Sequence, residues 1–217
     1  MIYGDELAMD FQKEKTGEPI SQSLPVLLET ERLLLRPFRE DDLGLIESLN
    51  CDADLLKYTP FDAMTHEQAA EHLQQIILDW KRDPLYSLEF AIIRRPTTQG
   101  ENGEEKIGRC HILIAPDTDT GMIGWFLLRE YHGRHYARES GEALIRYCFD
   151  VLGLHRVNAV CHPENYASRK ALEHCGMRLE ACLRQKCRYM KKGVVSWEDE
   201  LEYAVLAFEK MTGVCGE

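Results

Sequence analysis

The sequence predicts a mixed α/β layer fold, and two observations carry that prediction. Short apolar runs of strand length alternate with stretches whose apolar residues recur at three and four, in the order β-α-α-β-β-β-α-β-α-β-β. Turn-rich segments separate the runs, and no internal repeat interrupts the order.

The elements follow in turn. Residues 1–26 are polar and turn-rich, with Pro19 and Pro25, and read as an extension that includes a short helix near Asp5–Phe11. Such an arm is either mobile or packed on a partner subunit, which would make a homodimer. The segment "LETERLLLRPF" reads as a strand ended by Pro37. "REDDLGLIESLN" carries Leu43, Ile46 and Leu49 at helical spacing behind a first turn of acids. "MTHEQAAEHLQQIILDW" is the clearest helix, with a Thr65/Gln68 capping box and an apolar stripe of Ala69, Leu73, Ile76, Ile77 and Trp80. "SLEFAIIRR" is a strand, and "PTTQGENGEEK" a polar hairpin loop. "IGRCHILIA" and "GMIGWFLL" are strands joined by "PDTDTG". Ala137, Gly141, Leu144, Ile145, Cys148 and Phe149 place a helix over about Tyr136 to Val151. The strand "HRVNAVCH" stops before Pro163, and "SRKALEHCG" is a short helix with Ser168 as N-cap and Gly176 as its C-terminal glycine. "ACLRQKCRYM" and "DELEYAVLAF" close the chain around a "KKGV" turn.

A chain of 217 residues, 44 % hydrophobic and 29 % charged, has the composition of one ordinary globular domain. Its net charge of −11 argues against nucleic acid, whose binding needs clustered Lys and Arg, and suits a cationic or amine partner. There is no basic-then-apolar leader and no apolar run of membrane-spanning length, so a cytoplasmic protein with no membrane partner is expected. The eight cysteines include no CxxC, and Cys148, Cys161 and Cys175 lie inside periodic segments as small core residues of a reducing compartment. Cys182 and Cys187, with the pairs Cys110-His111 and Cys161-His162, lack zinc-ligand spacing, so no metal is expected.

The chemistry begins at "YHGRHYA", where a strand feeds a helix through His132, Gly133, Arg134, His135, Tyr136 and Ala137. A helix start presents unpaired N–H groups and a partial positive charge, and small residues let an anion approach them. On these grounds alone the segment is a phosphate cradle, a metal site or a solvated helix entry.

Four ordered segments decide among these: "LETERLLLRPFREDDL", "IGWFLLREYHGRHYARESGEALIRYCF", "NAVCHPENYASRKALEHCGM" and "WEDELEYAVLAF". Over roughly Leu28 to the end the chain resembles the GNAT superfamily of N-acetyltransferases, in its branch of ribosomal-protein-alanine N-acetyltransferases (RimJ/RimL-like). The resemblance implies an α/β (α+β) GNAT domain over 27–217. Its sheet would be mixed and mostly antiparallel, six- to seven-stranded, with helices on both faces and a splay between "GMIGWFLL" and "HRVNAVCH". It also implies acetyl-CoA as co-substrate and a primary amine, on a peptide or a small molecule, as acceptor.

The implied roles fall residue by residue. The backbone of His132 to Ala137 would hold the pyrophosphate of coenzyme A, with Arg134 and Arg138 supplying positive charge. Gly133 and Ala137 fit the family form, and His135 stands where glycine is usual. Phe126, Leu127 and Leu128 would offer backbone hydrogen bonds to the pantetheine arm, one of them polarising the thioester carbonyl; core packing is the other reading of their side chains. Asn165 would contact the arm, or form an Asx-turn after Pro163. Many relatives carry a tyrosine acid where this chain has Leu172. The branch's Asn-x-x-Ser is matched by Asn165 and Ser168, so Ser168 would protonate the departing sulfur, or only cap its helix. His162 is the leading base for the acceptor amine, with Glu89 and Glu164 behind it. Tyr58, Pro60 and Phe61 would border the acceptor pocket. His135 together with the missing tyrosine keeps open a non-catalytic CoA-binding sensor, and the Cys/His pairs leave a metal protein as a third reading.

Overall fold

The computed structural model describes residues 27–82, 86–96 and 104–212. The expected extension over 1–26 and most of the expected loop after Pro96 lie outside them. The described chain runs β1 (Leu28–Glu29), β2 (Leu33–Pro37), α1 (Leu43–Asn50), α2 (His66–Asp79), β3 (Ser87–Arg94), β4 (Glu105–Ala115) and β5 (Thr120–Leu127). It continues through α3 (Tyr136–Asp150), β6 (Arg156–Cys161), α4 (Tyr166–His174), β7 (Arg178–Lys191), β8 (Val194–Leu206) and α5 (Ala207–Thr212). The strands form one eight-stranded sheet in the order β1-β2-β3-β4-β5-β6-β8-β7. Eight strands replace the expected six to seven because "LETERLLLRPF" breaks in two. The Thr30 hydroxyl accepts from the Leu33 amide at 2.9 Å, closing a turn between β1 and β2.

Every neighbouring pair is antiparallel except β5 and β6. That parallel pair is joined only from Thr120↔Arg156 to Met122↔Asn158, and beyond it the two strands part. The splay expected between these strands is therefore present.

The pleat divides the apolar residues between two cores. Leu88, Phe90 and Ile92 of β3 pack with Leu144, Ile145 and Cys148 of α3 on one face. Ala91 and Ile93 pack with Ile46 and Leu49 of α1 and Ala69, Leu73 and Ile76 of α2 on the other. Helices therefore cover both faces. The α1–α2 layer is anchored by a buried ion pair, Arg36–Asp42 at 2.7 Å, with side chains 1 % and 0 % exposed. Burial pushes the Asp42 carboxyl up, but the Arg36 and Lys106 hydrogen bonds and the Arg39 amide outweigh it and bring it to about 2. The stability that Asp42 contributes is thus complete above the ordinary carboxylate range and is lost as the pH falls toward 2.

The helix ends obey their local chemistry, with one correction. Thr65 and Gln68 make the expected capping box of α2. The α4 N-cap is Asn165, not Ser168: the Asn165 carboxamide oxygen accepts from the Ser168 amide at 3.2 Å. Both residue types cap well, and the turn after Pro163 starts the helix early enough to make Ser168 the third helical residue. At the other end Gly176 takes φ +82°, with Gly176 N–H on the Glu173 carbonyl and Met177 N–H on the Leu172 carbonyl. That pair of bonds is the Schellman pattern that ends a helix sharply. Among the described residues no helix is long and apolar enough to cross a membrane.

Candidate active site

The gap between β5 and β6 lies between the helix start at His132–Ala137 and His162, two of the segments the sequence singled out. Hydrogen bonds alternate along an antiparallel strand, so a residue whose main chain serves β4 cannot also serve the gap. The Leu128 amide donates to the Ile107 carbonyl at 2.9 Å. In the same phase Phe126 lies opposite Arg109. The expectation that the Phe126 and Leu128 backbones serve a ligand is therefore corrected: both turn toward β4, and their side chains pack against the α1–α2 core. Leu127 and, unforeseen, Trp125 have the opposite phase and face the gap. The Leu127 carbonyl accepts from His132 Nε2 at 2.9 Å.

That hydrogen bond starts the cradle. After a 3-10 turn over Arg129–Tyr131 the chain passes Gly133 at φ +72° and His135 at φ +65°, ψ 11°, and enters α3 at Tyr136. A Cβ on Gly133 would meet nothing within 4 Å, so its surroundings are open to a ligand. His135 occupies the left-handed region at the N-cap, which explains why glycine is the usual residue there. Histidine is among the side chains that tolerate the region. No side chain caps the helix. The first helical N–H bond is Glu139 to the His135 carbonyl, which leaves the Tyr136, Ala137 and Arg138 amides without an intrahelical acceptor. Three amides without an acceptor beside an open turn can take up an anion, and the residues present fit a pyrophosphate.

The acid in the first turn, Glu139, would oppose an anion if it faced outward. It is instead turned back: it accepts from the Thr30 hydroxyl at 2.5 Å and the Arg32 amide and Nε, each at 2.8 Å. Burial favours the neutral Glu139 carboxyl, and the Thr30 and Arg32 bonds outweigh it, holding the group below its usual range. Arg32 also donates to the Arg134 carbonyl at 3.1 Å and lies 4.6 Å over the Tyr136 ring. The β1–β2 turn thus clamps the cradle, a role the sequence reading did not find. Arg138 is turned aside to Glu142 at 2.7 Å, and Arg134 remains exposed at the cradle's edge.

Across the gap His162 follows β6 with its side chain 13 % exposed. Tyr58 stacks on it at 5.2 Å between ring centroids, and Tyr189 lies at 6.1 Å. Its Nδ1 accepts from the Glu164 amide at 3.1 Å, and its Nε2 faces Glu198 at 3.7 Å. The loop holding Tyr58, Pro60 and Phe61 is gripped by the β7–β8 hairpin. Tyr189 donates to the Tyr58 carbonyl at 2.8 Å, and Lys191 to the carbonyls of Leu56, at 3.0 Å, and Phe61. The Lys192 amide completes the grip on Asp62 at 3.0 Å. The structure thus brings Tyr58 and His162 together, while the Phe61 side chain is exposed.

Glu89 stands apart from this wall. It pairs with Arg109 at 2.9 Å, beside His72 and His111. Burial works to raise its carboxyl, but Arg109, His111 and His72 hold it below the usual range, which makes it a counter-ion. Burial pushes the neighbouring His111 down to about 4. Glu164 is exposed and donates its amide to His162. Glu198 and Tyr189 were not found from sequence. The signal was there in "WEDELEY", where acids at 198, 200 and 202 alternate and so share one face of β8. Among the described residues no group of three or more His, Cys, Asp or Glu side chains is arranged to hold a metal.

The family profile described as an acetyltransferase (GNAT) domain matches residues 32–178. The chain belongs to the GNAT acetyltransferase family. It is 30 % identical over 182 residues to the uncharacterized N-acetyltransferase YnaD of Bacillus subtilis (strain 168), covering 84 % of this chain and 98 % of that one. The crystal structure of a GNAT-family acetyltransferase from Bacillus anthracis is similar with a TM-score of 0.69 at 30 % identity, over 84 % of this chain and 99 % of that one. RimL, a ribosomal L7/L12 α-N-protein acetyltransferase solved with coenzyme A, shares the fold with a TM-score of 0.67 at 20 % identity, over 83 % and 97 % of the two chains. As a GNAT protein this chain is an N-acetyltransferase enzyme.

Proposed function

We propose that this enzyme moves the acetyl group of acetyl-CoA directly to a primary amine while both are bound. The observation that carries the reading is the parting of β5 from β6 beyond Met122 and Asn158, with the cradle at one wall and His162 at the other. The cradle amides of Tyr136, Ala137 and Arg138, with Gly133 and His135 setting the turn, would hold the pyrophosphate. Leu127 and Trp125 would line the pantetheine arm with main-chain groups. The co-substrate supplies an activated acyl group on a sulfur that leaves readily.

Asn165 spends its carboxamide oxygen on capping α4, which leaves its NH2 group for the arm. Since Asn165 does the capping, the Ser168 hydroxyl is free to donate to the departing sulfur. The acceptor, a small amine or a peptide N-terminus, would enter between Tyr58 and the strands β6 and β8, as a cation drawn by the acidic chain. The free thiols among the described residues support a reducing, cytoplasmic setting.

Calorimetry with acetyl-CoA, followed by thiol release over a panel of polyamines, peptides, amino acids and aminoglycosides, tests the reading. Binding with release on at least one amine is expected, and no binding at millimolar acetyl-CoA would sink it. Ser168→Ala should slow turnover more than it weakens acetyl-CoA binding. A second reading, a CoA-binding sensor, is favoured by Leu172, which is 2 % exposed and packs in the core where relatives place a tyrosine acid. Tight coenzyme A binding with no turnover on any amine would select it.

A further inference from the structure

We infer that Glu198 is the carboxylate that receives the acceptor ammonium and relays its proton to water, and that His162 positions it. This rests on the acetyl-transfer reading above and deepens it. Both nitrogens of His162 are already committed. A main-chain N–H can only donate, so the Glu164 amide at 3.1 Å makes Nδ1 an acceptor. In the neutral ring the single hydrogen is then on Nε2, the nitrogen that faces Glu198 at 3.7 Å. Thus neither nitrogen has a lone pair directed at the acceptor: one is bonded to the backbone and the other carries a hydrogen. Stacking against Tyr58 holds the ring in that orientation.

The three carboxylates on this face of β8 are not equivalent. Glu200 is bonded by Lys186 at 2.5 Å and by the Cys187 thiol at 2.9 Å. Glu202 is bonded by Arg156 at 3.4 Å and by the Asn158 carboxamide at 3.3 Å. Among the described residues Glu198 has no lysine or arginine partner, and the group that faces it is His162 Nε2 at 3.7 Å. It is 35 % exposed, so its charge is available to a cation entering beside the gap. The ligand class an uncompensated, part-exposed carboxylate fits is a primary ammonium.

The proton count closes. The ammonium gives one proton to the Glu198 carboxylate, which passes it to water, so the solution pH sets how much free amine forms. The free amine nitrogen bonds to the acyl carbon, the carbon–sulfur bond breaks, and the nitrogen's second proton ends on the sulfur through Ser168. Amide, thiol and one released proton are the products.

Two measurements test the inference. Glu198→Gln, with the same shape and an unchanged melting temperature, should lower kcat/KM for a cationic amine about 100-fold and leave acetyl-CoA affinity within about twofold, as expected of a proton-transfer group. A loss smaller than about threefold would overturn it while the transfer reading stands. If the wild type binds acetyl-CoA and acetylates no amine, the transfer reading falls and takes this inference with it. Independently of activity, 15N NMR of the wild type should find neutral His162 with its hydrogen on Nε2. A hydrogen on Nδ1 would free Nε2 to act as the base and overturn the assignment.

Discussion

The start of α3 and the aromatic wall across the gap use opposite materials. The cradle is main chain: amides of Tyr136 to Arg138, set by two left-handed residues and clamped by Arg32 through Glu139 and the Arg134 carbonyl. The wall is side chain: Tyr58, His162, Tyr189 and Glu198, drawn from three segments far apart in the sequence. On the proposed reading, main-chain amides would recognise what every acyl-CoA shares, its phosphates, and side chains what differs among amines. The contrast would then let one wall be assigned to a ligand and the other only to a class of ligand.

Substitutions that affect one wall and spare the other break or sharpen this contrast. The largest effect is expected at Gly133→Val. The left-handed region costs an L-residue up to about 2 kcal/mol, so acetyl-CoA affinity should fall about 30-fold or more with acceptor KM unchanged. Arg32→Ala removes a charge-assisted clamp without touching any ligand-facing amide, and acetyl-CoA Kd by calorimetry should rise about tenfold. Tyr189→Phe does the reverse. It deletes the bond to the Tyr58 carbonyl, worth about 1 kcal/mol, so acceptor KM should rise about fivefold with acetyl-CoA Kd unmoved. Asn165→Ala should cost about 1 kcal/mol in thermal or denaturant unfolding through the lost cap, whereas Ser168→Ala should leave stability nearly unchanged. His135→Gly is the smallest: relief of the left-handed strain, partly offset by a freer unfolded chain, should stabilise by about 0.5 kcal/mol and preserve or tighten acetyl-CoA binding. Weakened binding would instead make the imidazole a contact.

What the residues disclosed in advance follows the same division. The Thr65/Gln68 box, the stripe of α3 and the glycine of the cradle are local signals, and the corresponding elements stand where those signals put them. Ser168 and Asn165 are both good caps three residues apart, and only the path of the chain after Pro163 chooses between them. The break in "LETERLLLRPF" depends on a Thr30 hydroxyl closing on Leu33, which apolar spacing does not record. Phe126, Leu127 and Leu128 could not be told apart without knowing which edge of β5 pairs with β4. Glu198 was hidden for a plainer reason: its meaning depends on which neighbouring acids are already neutralised, and Lys186 and Arg156 meet their partners only in the folded sheet.

The grip of the β7–β8 hairpin has a consequence for how such a protein can diversify. Tyr189 and Lys191 hold the carbonyls of Leu56, Tyr58 and Phe61 and not their side chains. Every amino acid supplies a carbonyl, so the side chains between Lys57 and Phe61 can be exchanged while the loop stays fastened. The loop behaves as an interchangeable cartridge in a fixed holder. On the proposed reading, a library randomised at Lys57, Pro60 and Phe61, with Tyr58 kept to hold the His162 ring, would retarget the acceptor without redesigning the frame.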